Sequence, residues 1–272
     1  MYKAAIYIND YLLLLELISK LDLELPTLEY TIYGSKDFEK TLESSAEGYV
    51  VTDLSGIEDA EILILLADPN LDLDDKEIKY IRDFDGTIIN ASSFQFGSDA
   101  EVFEVVEPIR KILRNVAVPV GNTSVILNLP VCIYGKDGVE DLMTQTKDIF
   151  TFENNDSSVF QHRIAFNKHF NPIIVGLAVE KSINDFSNAG GDISVRISPL
   201  STVFVVDVFA KDHVGLKDTD GYYYTNDFFT ANDVAERDDI VVIERRNGLT
   251  FTGDYIRILI DSVLRNIREV TG

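Results

Sequence analysis

Between residues 68 and 74 the chain reads Asp68-Pro-Asn70-Leu-Asp72-Leu-Asp74, with oxygen-bearing side chains at every second position, the spacing on which a calcium loop is built. The other requirements of that loop fail. Leu73 stands at the sixth position, where glycine must turn the chain, and Lys79 at the twelfth, where a bidentate glutamate must close the shell. The stretch is read as a solvated acidic face within Asp53 to Asp85, which holds 11 carboxylates and 3 basic residues. His162, His169 and His213 lack both the i, i+4 spacing and the neighbouring cysteines of a zinc site, and Ile164 to Asn167 between the first two reads as extended. Cys132, in Leu129-Pro-Val-Cys-Ile-Tyr134, has apolar neighbours where a reactive thiolate needs an electropositive, open setting, and is read as a small core residue. Neither a Gly-x-Ser-x-Gly elbow nor a Gly-x4-Gly-Lys phosphate loop occurs. The first turn from strand to helix, Ile8-Asn9-Asp10-Tyr11-Leu12-Leu13, has no glycine to admit a pyrophosphate, and Asp10 puts a carboxylate where phosphates would lie. Asn9 or Asp10 is read there as a helix N-cap.

The charge balance narrows the partners. Against 24 Lys and Arg stand 46 Asp and Glu, a formal charge of −22 over 272 residues. A polyanionic nucleic acid would be repelled, and so would an anionic membrane surface. With 46 % hydrophobic residues the chain can bury a core, so the acidity belongs to the surface of a folded protein. One cysteine excludes an internal disulfide framework and suits a reducing compartment. The apolar start from Met1 to Lys20 is broken by Asn9, Asp10 and Glu16 and has no small-residue cleavage site, and the longest apolar runs, Tyr11 to Leu15 and Ile62 to Ala67, are too short to cross a bilayer. The expected setting is the cytoplasm.

The elements that must position these residues alternate at first. Ala4 to Ile8, Leu28 to Tyr33, Tyr49 to Asp53, Ala60 to Leu66 and Thr87 to Asn90 read as strands, with helices at Tyr11 to Leu21 and Asp74 to Phe84. Continuous apolar strands alternating with helices predict a parallel sheet covered on both faces. Beyond residue 125 strands cluster: Ser124 to Tyr134 broken at Pro130, Asp192 to Ile197, Val203 to Phe209, and a hairpin of Ile240 to Arg245 with Leu249 to Thr252 about Asn247-Gly248. Helices are expected at Val139 to Phe150, Asn171 to Asn188 and Gly253 to Val270. The fold class expected is α/β followed by α+β.

Several segments, in order, resemble one family. Gly86-Thr-Ile-Ile-Asn-Ala-Ser-Ser-Phe94, with Tyr49 to Leu54 and Ala60 to Leu65 upstream, is similar to the strand and Ser-Ser-x-Phe loop of the aspartate-semialdehyde dehydrogenases. Gly138-Val-Glu-Asp-Leu142 with Gln145-Thr146 resembles the helix that opens that family's second domain. Val159-Phe-Gln-His-Arg-Ile-Ala-Phe-Asn167 is the most specific match, and Ile193-Ser-Val-Arg-Ile197 with Val206-Asp-Val208 resembles the strand pair that carries its substrate arginine.

The resemblance implies a Rossmann-like NAD(P)-binding-type domain over 1–125, a semialdehyde-dehydrogenase-type dimerisation domain over 126–252, and a last helix, 253–272, that returns to the first. It implies NADP as cofactor, a cysteine nucleophile, a histidine acid/base and arginines for substrate and phosphate. Here the departures fall on that chemistry, and the chain is also shorter than the enzymes. Gly121 or Asn122 takes the place of the cysteine, Gln95 that of the phosphate arginine, and Ser201 to Val203 that of the histidine, while Leu249 to Asp254 replaces the cofactor-holding stretch. Arg196 and Asn167 match as residues for the substrate anion, and Asn9, Asp10, Ser92 and Ser93 stand at degenerate cofactor positions. Three readings follow: a catalytically inactive relative, dimeric or bound to another protein, with no cofactor; an active NAD(P)-dependent enzyme with a displaced site; and a sensor of small carboxylates gripped by Arg196.

Overall fold

Four successive residues, Ala4 to Tyr7, are almost wholly buried, and they form the centre of β1 (Lys3–Tyr7) in a computed structural model of the chain. The structure describes residues 2–43, 50–97, 100–117, 120–152, 159–160, 162–170, 172, 179–211, 214–227 and 230–272. It divides into two units, Met1–Val106 with Ile260–Gly272, and Glu107–Leu259.

In the first unit β1 is followed by α1 (Tyr11–Glu24), β2 (Glu29–Tyr33), α2 (Lys36–Glu43), β3 (Ile62–Leu65), α3 (Pro69–Asp72), α4 (Asp75–Arg82), β4 (Thr87–Asn90) and β5 (Val102–Glu104). The five strands are parallel in the order β2-β1-β3-β4-β5. Every residue of β3 is buried, as a parallel strand covered on both faces requires. On one face Tyr7, Leu63, Leu65 and Ile88 meet Ile78 and Ile81 of α4 and Phe94. The strand order reverses between β1 and β3, so the crevice available to a ligand lies beyond the carboxyl ends of these two strands. The strand expected at Tyr49 to Asp53 shrinks to one bridge, Val51 with Tyr33, because Asp53 caps a 3-10 turn at Leu54–Asp59 that takes the chain away; 44–49 lie outside the described residues.

The second unit contains α5 (Pro108–Asn115), β6 (Thr123–Leu129), α6 (Gly135–Thr151), β7 (His169–Phe170), α7 (Glu180–Asn188), β8 (Asp192–Ile197), β9 (Val203–Ala210), β10 (Tyr222–Tyr224), α8 (Ala231–Ala235), β11 (Ile240–Arg245) and β12 (Gly248–Asp254). Its mixed sheet runs β10-β11-β12-β9-β6-β8-β7, parallel at β6 with β8 and at β10 with β11. Pro130, which has no N–H to extend the ladder, ends β6. One face of the sheet is closed: Val125, Leu127, Val206, Val208 and Phe251 are buried. The opposite face, carrying Ser124, Ile126, Asp207 and Phe209, is partly open. Both expected classes, a parallel α/β unit and an α+β unit, are therefore present. The last helix, α9 (Tyr255–Thr271), begins in the second unit and its residues from Ile260 onward group with the first.

Two local expectations are corrected. The β11–β12 hairpin turns at Arg246-Asn247, with Gly248 paired opposite Arg245, and neither turn residue has the positive φ of an Asn-Gly turn. Ile164 to Asn167 is a turn rather than extended chain: Asn167 N–H donates to the Ile164 carbonyl (2.8 Å) and Phe166 is left-handed (φ 60°).

Glu107 opens the second unit as a buried N-cap, accepting the Ile109 and Arg110 amides. Burial pushes its carboxyl up to about 8, although both amides and Ser182 favour the charged form. The folded value lies above the ordinary 4.5, so between those limits the native state keeps a proton that the unfolded chain has released. Stability thus falls as pH rises through this window, at up to about 1.4 kcal/mol per pH unit. Urea unfolding at pH 5.5 and 7.5 is expected to show Glu107→Gln losing ~2 kcal/mol less than wild type over the interval. Equal losses would refute the assignment.

Candidate functional site

At the carboxyl ends of β1 and β3 the first unit builds a closed polar cluster. Asp10 is the N-cap of α1, and its Oδ1 accepts the amides of Leu12 (2.8 Å) and Leu13 (3.0 Å). These are N–H groups with which a helix N-terminus would hold a phosphate, and they are occupied by the chain's own carboxylate. Burial raises the Asp10 carboxyl above the ordinary aspartate value, against the pull of the two amides. Asn9 is equally committed: its Oδ1 accepts the Ser35 amide (2.8 Å), and its Nδ2 donates to the Tyr7 hydroxyl (2.9 Å) and to Asp72 (2.6 Å).

Carboxylates ring this end of the sheet. Ser93 donates to Asp68, whose other oxygen accepts the Asn70 amide at 3.0 Å. Burial drives the Tyr7 hydroxyl far above the ordinary tyrosine value, against the hydrogen bond from Asn9 and with smaller additions from the charges of Asp72, Glu77 and Asp68. Ser92 belongs to a turn around Asn90, donating its hydroxyl to Asn90 Oδ1 (2.7 Å) and accepting the Phe94 amide (3.1 Å). Asn9, Asp10, Ser92 and Ser93 are thus all engaged by neighbours within the chain. Tyr7, Asp68 and Asp72 were missed as members of this cluster, although the alternation from Asp68 to Asp74 signalled carboxylates in need of a role. Asp68 serves the first turn of α3, and Asp74 caps α4 in a box with Glu77.

Arg196 and Asn167 lie in the second unit. Arg196 sits on β8 between Asn128 of β6 and Phe170 of β7, with its guanidinium 5.3 Å from the Phe170 ring centre. Its Nε is buried and, among the described residues, has no hydrogen-bond partner. Lys168 donates from Nζ to Asn128 Oδ1 (3.0 Å), which places a second cation beside Arg196's cross-strand neighbour. Asn167 is exposed and turns its Oδ1 onto the Lys168 amide (2.9 Å). The segment bearing Asn167 is fixed from α6: Asp141 accepts the Val159 and Phe160 amides, and Gln145 Oε1 accepts those of Ile164 (2.7 Å) and Ala165 (3.1 Å).

The other candidates are placed as follows. Cys132 is buried. His162 is exposed, while the His169 side chain and His213 lie outside the described residues. Among the described residues no three His, Cys, Asp or Glu side chains converge on a metal position, and no helix is long and apolar enough to cross a membrane.

No protein-family model matches the chain, and no match is found among curated proteins. Solved structures do match. A probable aspartate-semialdehyde dehydrogenase from Pseudomonas aeruginosa superposes with a TM-score of 0.71 at 16 % identity, covering 99 % of this chain and 98 % of that one. Aspartate semialdehyde dehydrogenase II from Vibrio cholerae gives 0.71 at 14 %, with 99 % of each chain covered. The enzyme from Francisella tularensis gives 0.65 at 11 %, covering 100 % of both. The two units together thus define a dehydrogenase-type fold. It is the fold of the aspartate-semialdehyde dehydrogenases from end to end, as the sequence resemblance implied.

Proposed function

We propose that this chain is a non-catalytic relative of the aspartate-semialdehyde dehydrogenases, acting as a dimeric binding or structural module. One observation carries the reading: Asp10 fills the amide cradle at the start of α1 on which such a fold would seat a pyrophosphate. The residues present do not fit NADP. A phosphate seated there would also face like charge from Asp72, which accepts from Asn9 next to the Asp10 cap. Other losses agree with this. The one cysteine is buried in the second unit, and Gln95 holds its own Ser93 carbonyl where a phosphate arginine is expected. A second copy, or another protein, is expected on the partly open sheet face of Ile126, Asp207 and Phe209, and light scattering at micromolar concentration reads the dimer directly. The cytoplasm remains the proposed setting.

The deciding assay supplies aspartate semialdehyde, phosphate and NADP and follows nicotinamide absorbance. No phosphate-dependent reduction is expected, and turnover above the uncatalysed rate would instead support an active enzyme with a displaced site.

A second reading is favoured by the unpartnered Arg196 Nε beside Lys168: this corner grips a small carboxylate. Thermal-shift screening of dicarboxylates on wild type and Arg196→Ala tests it. A shift of several degrees confined to wild type supports the reading, and equal shifts in both proteins contradict it.

A further inference from the structure

The second unit contains a cavity of about 290 Å³ between α5 and α7, on different elements from the Arg196 corner. Arg110 and Arg114, one turn apart on α5, line one wall, and Lys217 joins them from the connection between β9 and β10. That loop is tied to the end of α5: Lys217 Nζ donates to the Arg114 carbonyl (2.7 Å), and Asp218 N–H to Asn115 Oδ1 (2.8 Å). The opposite wall is a single face of α7, with Ser182, Asp185, Phe186 and Ala189 at i, i+3, i+4 and i+7. Leu113 and Val116 complete an apolar interior.

Three cations around one small cavity are unexpected in a chain of charge −22. Among the described lining residues Asp185 is the one carboxylate, and it is exposed. Arg110 Nε is buried and, among the described residues, has no hydrogen-bond partner, although a buried donor ordinarily finds an acceptor. Glu107, at the start of the same helix, interacts with Arg110 electrostatically, but burial pushes its carboxyl up to about 8.

We propose that this cavity is a binding site for a small monocarboxylate with an apolar body, such as a short fatty or aryl acid. The carboxylate would accept from Arg110, with Arg114 and Lys217 at the rim, and the hydrocarbon would lie against Leu113, Val116 and Phe186. The volume limits the ligand to roughly the size of benzoate or hexanoate. Asp185 at the rim disfavours a dianion, which separates this site from one for inorganic phosphate.

Calorimetric titration of the full chain with benzoate, hexanoate and inorganic phosphate at pH 7 tests the assignment. Saturable binding of benzoate or hexanoate is expected, weakened at least tenfold in Arg110→Gln and a few-fold in Lys217→Gln. Lys217 is exposed, so its variant keeps the test open should Arg110→Gln fail to fold. The proposal is overturned if neither organic acid saturates below ~10 mM, an affinity weaker than about −3 kcal/mol. It is also overturned if phosphate alone binds, or if affinity survives in both Arg110→Gln and Lys217→Gln.

Discussion

Gln145→Ala is expected to destabilise the second unit by ~2–5 kcal/mol, since two buried amides would each lose their acceptor at about 1–3 kcal/mol apiece. Gln145 is 4 % exposed, its Oε1 takes the Ile164 and Ala165 amides, and its Nε2 donates to Asp141 at 3.3 Å. Asp141 in turn holds Val159 and Phe160, so two residues on one face of α6 anchor both ends of a segment that has little regular structure of its own. Gln145→Glu should cost less, because the acceptor remains, but it sets a second carboxylate against Asp141. Thermal unfolding should therefore rank wild type above Gln145→Glu and Gln145→Ala last, with the alanine variant lower by ~5–15 °C. A Gln145→Ala midpoint within a degree of wild type would show that the segment is held by something else.

Gly248→Ala should be comparably severe. A Cβ built on Gly248 would lie 2.1 Å from the Val208 carbonyl oxygen, and that atom is backbone in the adjacent strand, so it cannot rotate away. The register places Gly248 opposite Phe209, and relief requires β9 and β12 to separate locally, breaking ladder bonds in the middle of the sheet. A loss of about 3 kcal/mol or more is expected, at the upper end of overpacking effects. Gly97→Ala and Gly215→Ala provide the contrast: an added Cβ at either meets nothing within 4 Å. Both should stay within ~0.5 kcal/mol of wild type in chemical denaturation. Similar losses at all three positions would indicate that backbone freedom, rather than the close approach to Val208, is what Gly248 supplies.

The Gly248 case illustrates what a sequence can and cannot reveal. Asn247-Gly248 marked a hairpin correctly, because turn residues between two β-branched runs are a local signal. The reason for the glycine was different, since a contact with β9, some forty residues earlier, has no local trace. Continuously apolar strands such as Ile62–Leu65, and α9 with its 3-4 spacing, were equally legible. The short polar α2, the three-residue β5 and β10, and α5 were not, because they depend on caps and tertiary pairing more than on periodicity.

The candidate site divides the same way. Asp10 as a cap could be read directly, since a carboxylate before an apolar helix has one common role. The partners of Asn9, namely Ser35, Tyr7 and Asp72, come from three other elements, and only the fold unites them. Arg196 was reached through resemblance alone. Its unpartnered Nε depends on burial that the sequence does not state, and so does that of Arg110, which no motif marked.

Whether Asp10 and the surrounding carboxylates have replaced the dinucleotide can be measured directly by titrating NADP into the purified full-length chain by isothermal calorimetry at about 0.15 M salt, where long-range repulsion from the acidic surface is largely screened. No saturable heat is predicted up to ~1 mM NADP, an affinity weaker than about −4 kcal/mol. A saturating isotherm with a dissociation constant in the tens of micromolar would contradict it, because the amides of Leu12 and Leu13 would then have to be released from Asp10 to hold phosphate.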